Sequence, residues 1–211
     1  MKIFGIGMNY SRHTTELEDV LKDNTARLAA NEPVIFTKCD SALLRPGNPF
    51  FLPDYTKQCE HEAELVVRIG HMGRSIPERW VMRYIDAMTV GIDFTARDLQ
   101  QQLSAKGLPW DLAKGFDGSA AIGEWVHVDE HTNLQDVSFR LEKNGVCVQE
   151  ANSRDMIHSV TYIVSYISQF FTLKTGDLIY TGTPAGVGTV QMDDHLVGYL
   201  QGEKRMDFFV K

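Results

Sequence analysis

Short apolar segments separated by turn-forming residues run through most of the chain. Runs rich in β-branched and aromatic residues predict strands at "PVIFTK", "ELVVRIG", "TVGID", "GDLIYTG" and "MDFFVK". The opening "KIFGIGMNY" predicts a further strand, and "VSFRLEKNGVCVQ", with its Asn144-Gly145 pair, predicts a hairpin. The pattern therefore indicates a strand-rich chain.

Three segments instead carry apolar residues at helical spacing. The first is predicted from Pro77 to about Met88, the second over "ARDLQQQLSAK", and the third from about Asp155 to Phe171. Ser153 or Asp155 is suited to cap the N-terminal end of the third helix. Strands scattered among few helices favour the α+β class over the regular alternation of a parallel α/β sheet.

Length and composition limit the class of protein. The 211 residues carry 28 acidic and 21 basic side chains, a net charge of −7, without a run of Lys or Arg. We therefore expect a single domain over residues 1–211 and no nucleic-acid partner. No leader-like N-terminus and no stretch of about 18 apolar residues occurs, so we expect a cytoplasmic protein without a membrane partner. Cys39, Cys59 and Cys147 are widely spaced and are expected to be reduced and buried.

An alternating row of carboxylates is the first candidate for chemistry. Glu60, Glu62 and Glu64 are two residues apart in "CEHEAELVVRIG", so an extended chain points them to one face. The row fits either a solvated sheet face or a shared cation. For a cation, oxygen ligands favour Mg²⁺ or Mn²⁺ over zinc. Asp93 is the best third ligand because it ends an apolar strand, whereas Asp98 already falls in the next helix.

A histidine and a glutamate form a second candidate, in the weakly helical polar stretch that begins at His13. A helix there would place His13 beside Glu16, where the carboxylate can orient the imidazole to activate a water. An ordinary exposed pair at this spacing is the more common arrangement. Lys114, in "AKGFDG", is likewise expected to be a surface lysine.

Several familiar motifs are incomplete. "GIGMNY" has Tyr10 where a dinucleotide-binding motif needs its third glycine, and "HEAEL" has Leu65 where a zinc protease needs its second histidine. "TGTPAGVGT" lacks the ending of a phosphate loop, and no GxSxG sequence occurs. Nucleotide and serine-hydrolase functions are therefore not indicated.

The combination of segments is more specific than any one of them. The order and approximate spacing of these segments resemble the fumarylacetoacetate hydrolase family over nearly the entire chain: "GMNYSRHTTE", "HEAELVVRIG", "DFTARDLQ", "GLPWDLAKGFD", "NGVCVQ" and "GDLIYTGTPAGVG". The "TARD" and "GLPW" segments are most similar to its acylpyruvase and oxaloacetate decarboxylase branch. The resemblance implies a mixed β-roll with few helices, a mobile N-terminal lid over about residues 9–31, and a homodimer.

Matched motif by motif, the resemblance also implies roles for individual residues. The carboxylates that would bind Mg²⁺ or Mn²⁺ are Glu62, Glu64 and Asp93. The catalytic residues would be His13, Glu16 and Lys114. The residues that would contact a bound 2-oxo acid are Arg97, Gln100 and Thr183. Glu60 falls outside the matched positions.

The activity that the resemblance implies is metal-dependent hydrolysis of a C–C bond in a 3-acylpyruvate. Decarboxylation of oxaloacetate could proceed through the same pyruvate enolate, and tautomerisation of oxaloacetate without cleavage would require only proton transfer. One alternative is a hydratase or isomerase of unsaturated 2-oxo acids from aromatic ring cleavage. Another is a cation-binding β module without catalysis, against which Lys114 and Arg97 near a cation would suit an anionic substrate.

Overall fold

Strands dominate the computed structural model, which describes residues 1–10 and 31–211. The strands are β1 (Ile3–Gly7), β2 (Val34–Lys38), β3 (Leu43–Leu44), β4 (Cys59–His61), β5 (Ala63–Ile69), β6 (Ile85–Asp93), β7 (Thr95–Ala96), β8 (Ala120–Ile122), β9 (Val126–His127), β10 (Ser138–Lys143), β11 (Val146–Asn152), β12 (Leu178–Tyr180), β13 (Gly188–Thr189), β14 (His195–Leu200) and β15 (Glu203–Phe209). The α-helices are α1 (Arg97–Ala105), α2 (Asp111–Lys114) and α3 (Val160–Phe170). Short 3-10 helices cover Asp40–Ala42, Glu78–Arg83 and Ser153–Asp155.

Most strands belong to one large mixed sheet in the order β2-β1-β12-β5-β6-β8-β3, with β9 also paired to β6. Its β1–β12 and β3–β8 pairs are parallel, and its other pairs are antiparallel. A four-stranded sheet, β11-β10-β14-β15, and a small sheet, β13-β4-β7, complete the strands of the described residues. The predicted α+β, strand-rich class is confirmed.

Two expectations about chain organisation stay predictions. The lid expected at about 9–31 lies, apart from its ends, outside the described residues. The single domain expected over 1–211 is likewise not tested by the arrangement of strands.

The predicted helix from Pro77 to about Met88 is wrong. A 3-10 helix covers Glu78–Arg83, and β6 begins at Ile85. β6 lies between β5 and β8 and is buried along most of its length, so it needs apolar residues on both faces. Such a continuous apolar run cannot be told from a buried helix by periodicity alone. Pairing with β5 therefore made the segment from Ile85 onward a strand and not a helix.

The other two predicted helices are present. α1 follows the predicted segment closely, whereas α3 begins only at Val160. The hydroxyl of Ser159 accepts the N–H of Tyr162 at 3.1 Å and caps the helix. Ser153 and Asp155, the predicted caps, instead lie in a separate 3-10 turn.

One large hydrophobic core combines side chains from β5, β6, β10, β14 and α3. Cys59 belongs to this core, but Cys39 and Cys147 are exposed, so the prediction of burial is wrong for these two. All three thiols are free, as expected. Within residues 1–10 and 31–211, no helix is both long and apolar enough to cross a membrane.

Candidate active site

Three buried carboxylates converge where β5 pairs with β6. Glu64 lies opposite Gly91, and the N–H of Asp93 donates to the carbonyl of Glu62 at 2.8 Å. One oxygen of each carboxylate lies within 4.8 Å of the other two. The exposed fractions are 5% for Glu62, 1% for Glu64 and 0% for Asp93. Carboxylates that are so close together and so little exposed to water repel one another unless positive charge lies among them.

Glu60 lies outside the converging three and shares Arg97 with Glu62. The Nε of Arg97 donates to Glu60 at 2.7 Å, while another guanidinium nitrogen donates to Glu62. Glu60 is half-buried, and its carboxylate is not part of the close cluster. It therefore holds Arg97 in place beside Glu62.

Lys114 lies among the carboxylates, so the expectation of a surface lysine is wrong. It is the last residue of α2, which packs against β2. Its ammonium donates to Glu62 at 2.6 Å, to Asp93 at 2.9 Å and to the Thr95 hydroxyl at 2.7 Å. Burial acts to lower the pKa of Lys114, but the nearby carboxylates of Asp93 and Glu62 outweigh it and the pKa is raised. Lys114 therefore stays protonated.

A second buried lysine, Lys38, was not among the sequence-predicted site residues. Its Nζ lies 2.5 Å from Asp93 and 3.1 Å from the hydroxyl of Ser119. Burial lowers the pKa of Lys38, and the attraction of Asp93 offsets this only in part. A signal was present in "PVIFTK", where Val34, Phe36 and Lys38 share one face of a strand.

Glu64 differs from the other two carboxylates of the cluster. Within the described part of the chain, no lysine or arginine lies within ion-pair distance of it. Its carboxylate accepts the N–H of Gly182 at 2.6 Å. Gly182 has a φ of +101°, and a Cβ there would lie 2.6 Å from that of Asn9, so the approach requires glycine. Burial, followed by the charges of Asp93 and Glu62, raises the pKa of Glu64.

The residues expected to contact substrate are brought to the edge of this cluster. Arg97 donates to Gln100 one turn further along α1, and also reaches Glu62 as described above. Thr183 is buried in the loop after β12, where its hydroxyl donates to the carbonyl of Ala63 at 2.8 Å. His13 and Glu16 lie outside the described residues, so their pairing stays a prediction.

The donor set of the cluster suits a hard divalent cation. All of its ligand atoms are carboxylate oxygens, which Mg²⁺ and Mn²⁺ prefer over the nitrogen and sulfur ligands typical of zinc. A cation would also supply positive charge to Glu64, which has no lysine or arginine at ion-pair distance in residues 1–10 and 31–211. Glu62, Glu64 and Asp93 therefore fit the metal-binding role that the motifs implied.

Comparisons with known proteins agree with this geometry. A sequence profile described as "Fumarylacetoacetate (FAA) hydrolase C-terminal" matches residues 2–209. The oxaloacetate tautomerase FAHD1, mitochondrial, of Mus musculus is 37% identical over 206 residues, covering 98% of this chain and 90% of that protein. The oxaloacetate tautomerase YcgM of Escherichia coli strain K12 is 35% identical over 202 residues, covering 95% and 89%.

A solved structure extends the similarity to the fold. The fumarylpyruvate hydrolase of Pseudomonas aeruginosa, in complex with Mn²⁺ and pyruvate, is 31% identical with a TM-score of 0.87, covering 100% of this chain and 89% of that chain. This likeness confirms the mixed β-roll expected from the motifs. The mouse relative is mitochondrial by name, so the cytoplasmic location expected above stays a prediction.

Proposed function

This chain belongs to the fumarylacetoacetate hydrolase family, and we propose that it is a divalent-metal-dependent enzyme acting on small 2-oxo acids. The observation that carries the proposal is the convergence of Glu62, Glu64 and Asp93 beside a protonated Lys114. A cation held by carboxylates with fixed positive groups around it is an arrangement that attracts a small anion. A purely structural ion would not need these positive groups.

The proposed cation is Mg²⁺ or Mn²⁺, held by Glu62, Glu64 and Asp93. The Mn²⁺ bound to the Pseudomonas relative supports this choice. When bound, such a cation supplies Lewis-acid polarisation of the substrate's keto group.

The chain's own positive groups would bind and stabilise the anion. Lys114 keeps its proton, so it is suited to stabilise the negative charge that develops on the 2-oxo oxygen rather than to remove a proton. Arg97, held from behind by Glu60, offers a planar guanidinium that matches a carboxylate. Gln100 and Thr183 complete the proposed contacts to substrate.

The proposed reaction is the tautomerisation of oxaloacetate between its keto and enol forms. The carbon next to the keto group loses a proton, and the 2-oxo oxygen gains one. The two tautomerase relatives support this assignment. Because only protons move, the reaction does not require an activated water.

A second proposed activity is C–C hydrolysis of a 3-acylpyruvate, which the fumarylpyruvate hydrolase relative favours. One water is consumed, the bond between the distal carbonyl carbon and the pyruvate methylene breaks, and a carboxylic acid and pyruvate leave. His13 and Glu16 would activate that water. Decarboxylation of oxaloacetate would pass through the same pyruvate enolate.

The test compares oxaloacetate and acetylpyruvate side by side with Mg²⁺, with Mn²⁺ and with a chelator. Wild type should turn over both substrates only with metal, and Glu64→Ala should turn over neither. His13→Ala should lose acetylpyruvate hydrolysis but keep oxaloacetate tautomerisation and metal binding. No turnover of either by folded, metal-bound wild type would overturn the proposal in favour of a hydratase or isomerase of unsaturated 2-oxo acids, or of a non-catalytic module.

A homodimer is part of the proposal, as the family resemblance implied. Phe51 and Phe209 are exposed on neighbouring segments, since the N–H of Phe50 donates to the carbonyl of Phe209 at 3.0 Å. Exposed aromatic groups on adjoining segments suit a protein contact. Sedimentation should give about twice the 23.8 kDa mass of one chain, and a monomer at micromolar concentration would contradict it.

A further inference from the structure

A buried glutamine at the edge of the site forms four hydrogen bonds through its side-chain amide. Gln149 lies in β11 and is 2% exposed. Its oxygen lies 2.9 Å from the N–H nitrogen of Ala63 and 2.9 Å from the Nδ1 of His61. Its nitrogen donates to the Thr183 hydroxyl at 2.9 Å and to the Pro184 carbonyl at 3.0 Å. These four bonds use the two donors and two lone pairs that an amide offers.

The orientation of this amide follows from its two backbone partners. The N–H of Ala63 can only donate and the carbonyl of Pro184 can only accept, so the oxygen and nitrogen cannot be exchanged. The neighbouring His61 must then donate from Nδ1. Burial lowers the pKa of His61, which favours the neutral ring. Because Thr183 accepts from Gln149, its own proton is directed to the carbonyl of Ala63.

The amide joins the two parts of the proposed site from a different sheet. Ala63 lies between the proposed metal ligands Glu62 and Glu64 along the chain. Thr183 follows Gly182, whose N–H donates to Glu64. β11 belongs to the four-stranded sheet, whereas β5 belongs to the large sheet.

We propose that Gln149 is a positioning residue that sets the spacing between the metal-ligand strand and the Thr183 loop, and directs the Thr183 hydroxyl. It acts through Ala63 and Thr183 without touching the carboxylates or the substrate itself. Its effect on the substrate rests on the activity proposed above, whereas its effect on metal affinity rests only on the proposed cation site. If Gln149 only satisfied buried backbone groups, its loss would lower stability and nothing else.

The experiment replaces the amide and measures Mn²⁺ affinity by calorimetry, KM and kcat for oxaloacetate, and melting temperature. Gln149→Met keeps most of the volume without the hydrogen bonds. It should weaken Mn²⁺ binding about tenfold, as is common when a support of metal ligands is removed. KM should rise about tenfold with kcat changed much less, because binding geometry rather than chemistry is disturbed.

A matched control separates positioning from stability. Ser168 is fully buried in α3, where its hydroxyl accepts the N–H of Ile76 at 2.8 Å and donates to the carbonyl of Ser165 at 2.7 Å. Ser168→Ala should lower the melting temperature without changing Mn²⁺ affinity or KM. If Gln149→Met behaves in the same way as Ser168→Ala, the proposal is overturned.

Two further variants keep the test decisive. Gln149→Asn retains an amide that is one methylene too short to reach both sides, so the same losses are expected even if Gln149→Met folds poorly. Thr183→Val should raise KM less in the Gln149→Met background than in wild type, because the two residues act as a unit. Additive effects would contradict the coupling. A wild type without turnover would defeat the proposed function, while the Mn²⁺ comparison would still decide the role of Gln149.

Discussion

Two buried carboxylates of this chain, Asp177 and Glu64, are each 1% exposed but are surrounded in opposite ways. Asp177 accepts the N–H groups of Lys2 and Lys174, each at 2.8 Å, and pairs with the Lys2 ammonium. It thereby ties the start of β1 to the turn before β12. Among the described residues, Glu64 accepts the N–H of Gly182 and lies close to the carboxylates of Glu62 and Asp93.

The difference separates burial for structure from burial for function. The charge of Asp177 is satisfied by donors of its own fold, so it stabilises the native state. The charge of Glu64 is opposed by burial and by two like charges, which raise its pKa. A native protein keeps such a local conflict where a ligand removes it, and a cation is the ligand that would do so here.

The largest expected effect is on turnover. Glu64→Gln should reduce metal-dependent turnover by about a thousandfold, because several kcal/mol of charge stabilisation depend on the cation. The melting temperature of the metal-free variant should nevertheless rise, since a repelling charge is gone. Turnover assays measure the first effect, and melting curves recorded in chelator measure the second. Asp177→Asn should have the opposite effects, a lower melting temperature and unchanged turnover. If the two variants behave alike, the distinction between Asp177 and Glu64 is wrong.

A strong effect on stability is expected at the lysine that joins the carboxylates. Lys114→Met should destabilise the metal-free protein by about 3 kcal/mol, because buried carboxylates lose a charged partner. Added Mn²⁺ should restore part of this loss. Denaturant melts with chelator and with Mn²⁺ measure both quantities. Equal loss under both conditions would mean that Lys114 and the cation do not share the same carboxylates.

A smaller effect should appear in the pH dependence of the Glu64→Gln variant. The folded-state pKa of Glu64 is raised, so ionised Glu64 destabilises the metal-free native state at neutral pH. As pH falls and wild-type Glu64 binds a proton, the advantage of the variant should shrink. Melting temperatures in chelator from about pH 8 to about pH 5 show this trend. A difference that stays constant or grows would contradict the repulsion.

The smallest expected effect is on the reactivity of Cys59, a buried thiol that is not part of the carboxylate cluster. Burial, followed by the charge of Glu60, raises the pKa of the Cys59 thiol to about 12. Cys39 is exposed and should react with iodoacetamide at neutral pH, while Cys59 should stay unmodified in the folded protein. Peptide mass mapping before and after denaturation distinguishes the two. Labelling of native Cys59 at the rate of Cys39 would contradict its burial.

The carboxylate cluster could be predicted from the sequence because its signals are local. Glu62 directly precedes β5, Glu64 is the second residue of β5, and Asp93 ends β6, its antiparallel partner. The supporting groups could not be predicted in this way. Lys38 reaches the cluster from β2 and Gln149 from the four-stranded sheet. The alternation in "PVIFTK" places Lys38 on the face of Val34 and Phe36, but it does not show that this face meets the carboxylates.

Local signals were sufficient to predict α1. The helix was predicted over "ARDLQQQLSAK", which Gly107 and Pro109 end. The stretch from Pro77 to Met88 was assigned wrongly because part of it enters a strand buried on both faces, where apolar residues carry no period.

The sequence by itself determined that the chain is strand-rich, that Glu62 and Glu64 are spaced to share one face, and which family the chain joins. Only the tertiary structure decided that Ile85 starts a central strand, that Lys114 is buried, and that Gln149 supports the site. The physical reason is that sequence periodicity records which side chains leave water, whereas the partner that each one meets depends on chain segments far apart in sequence.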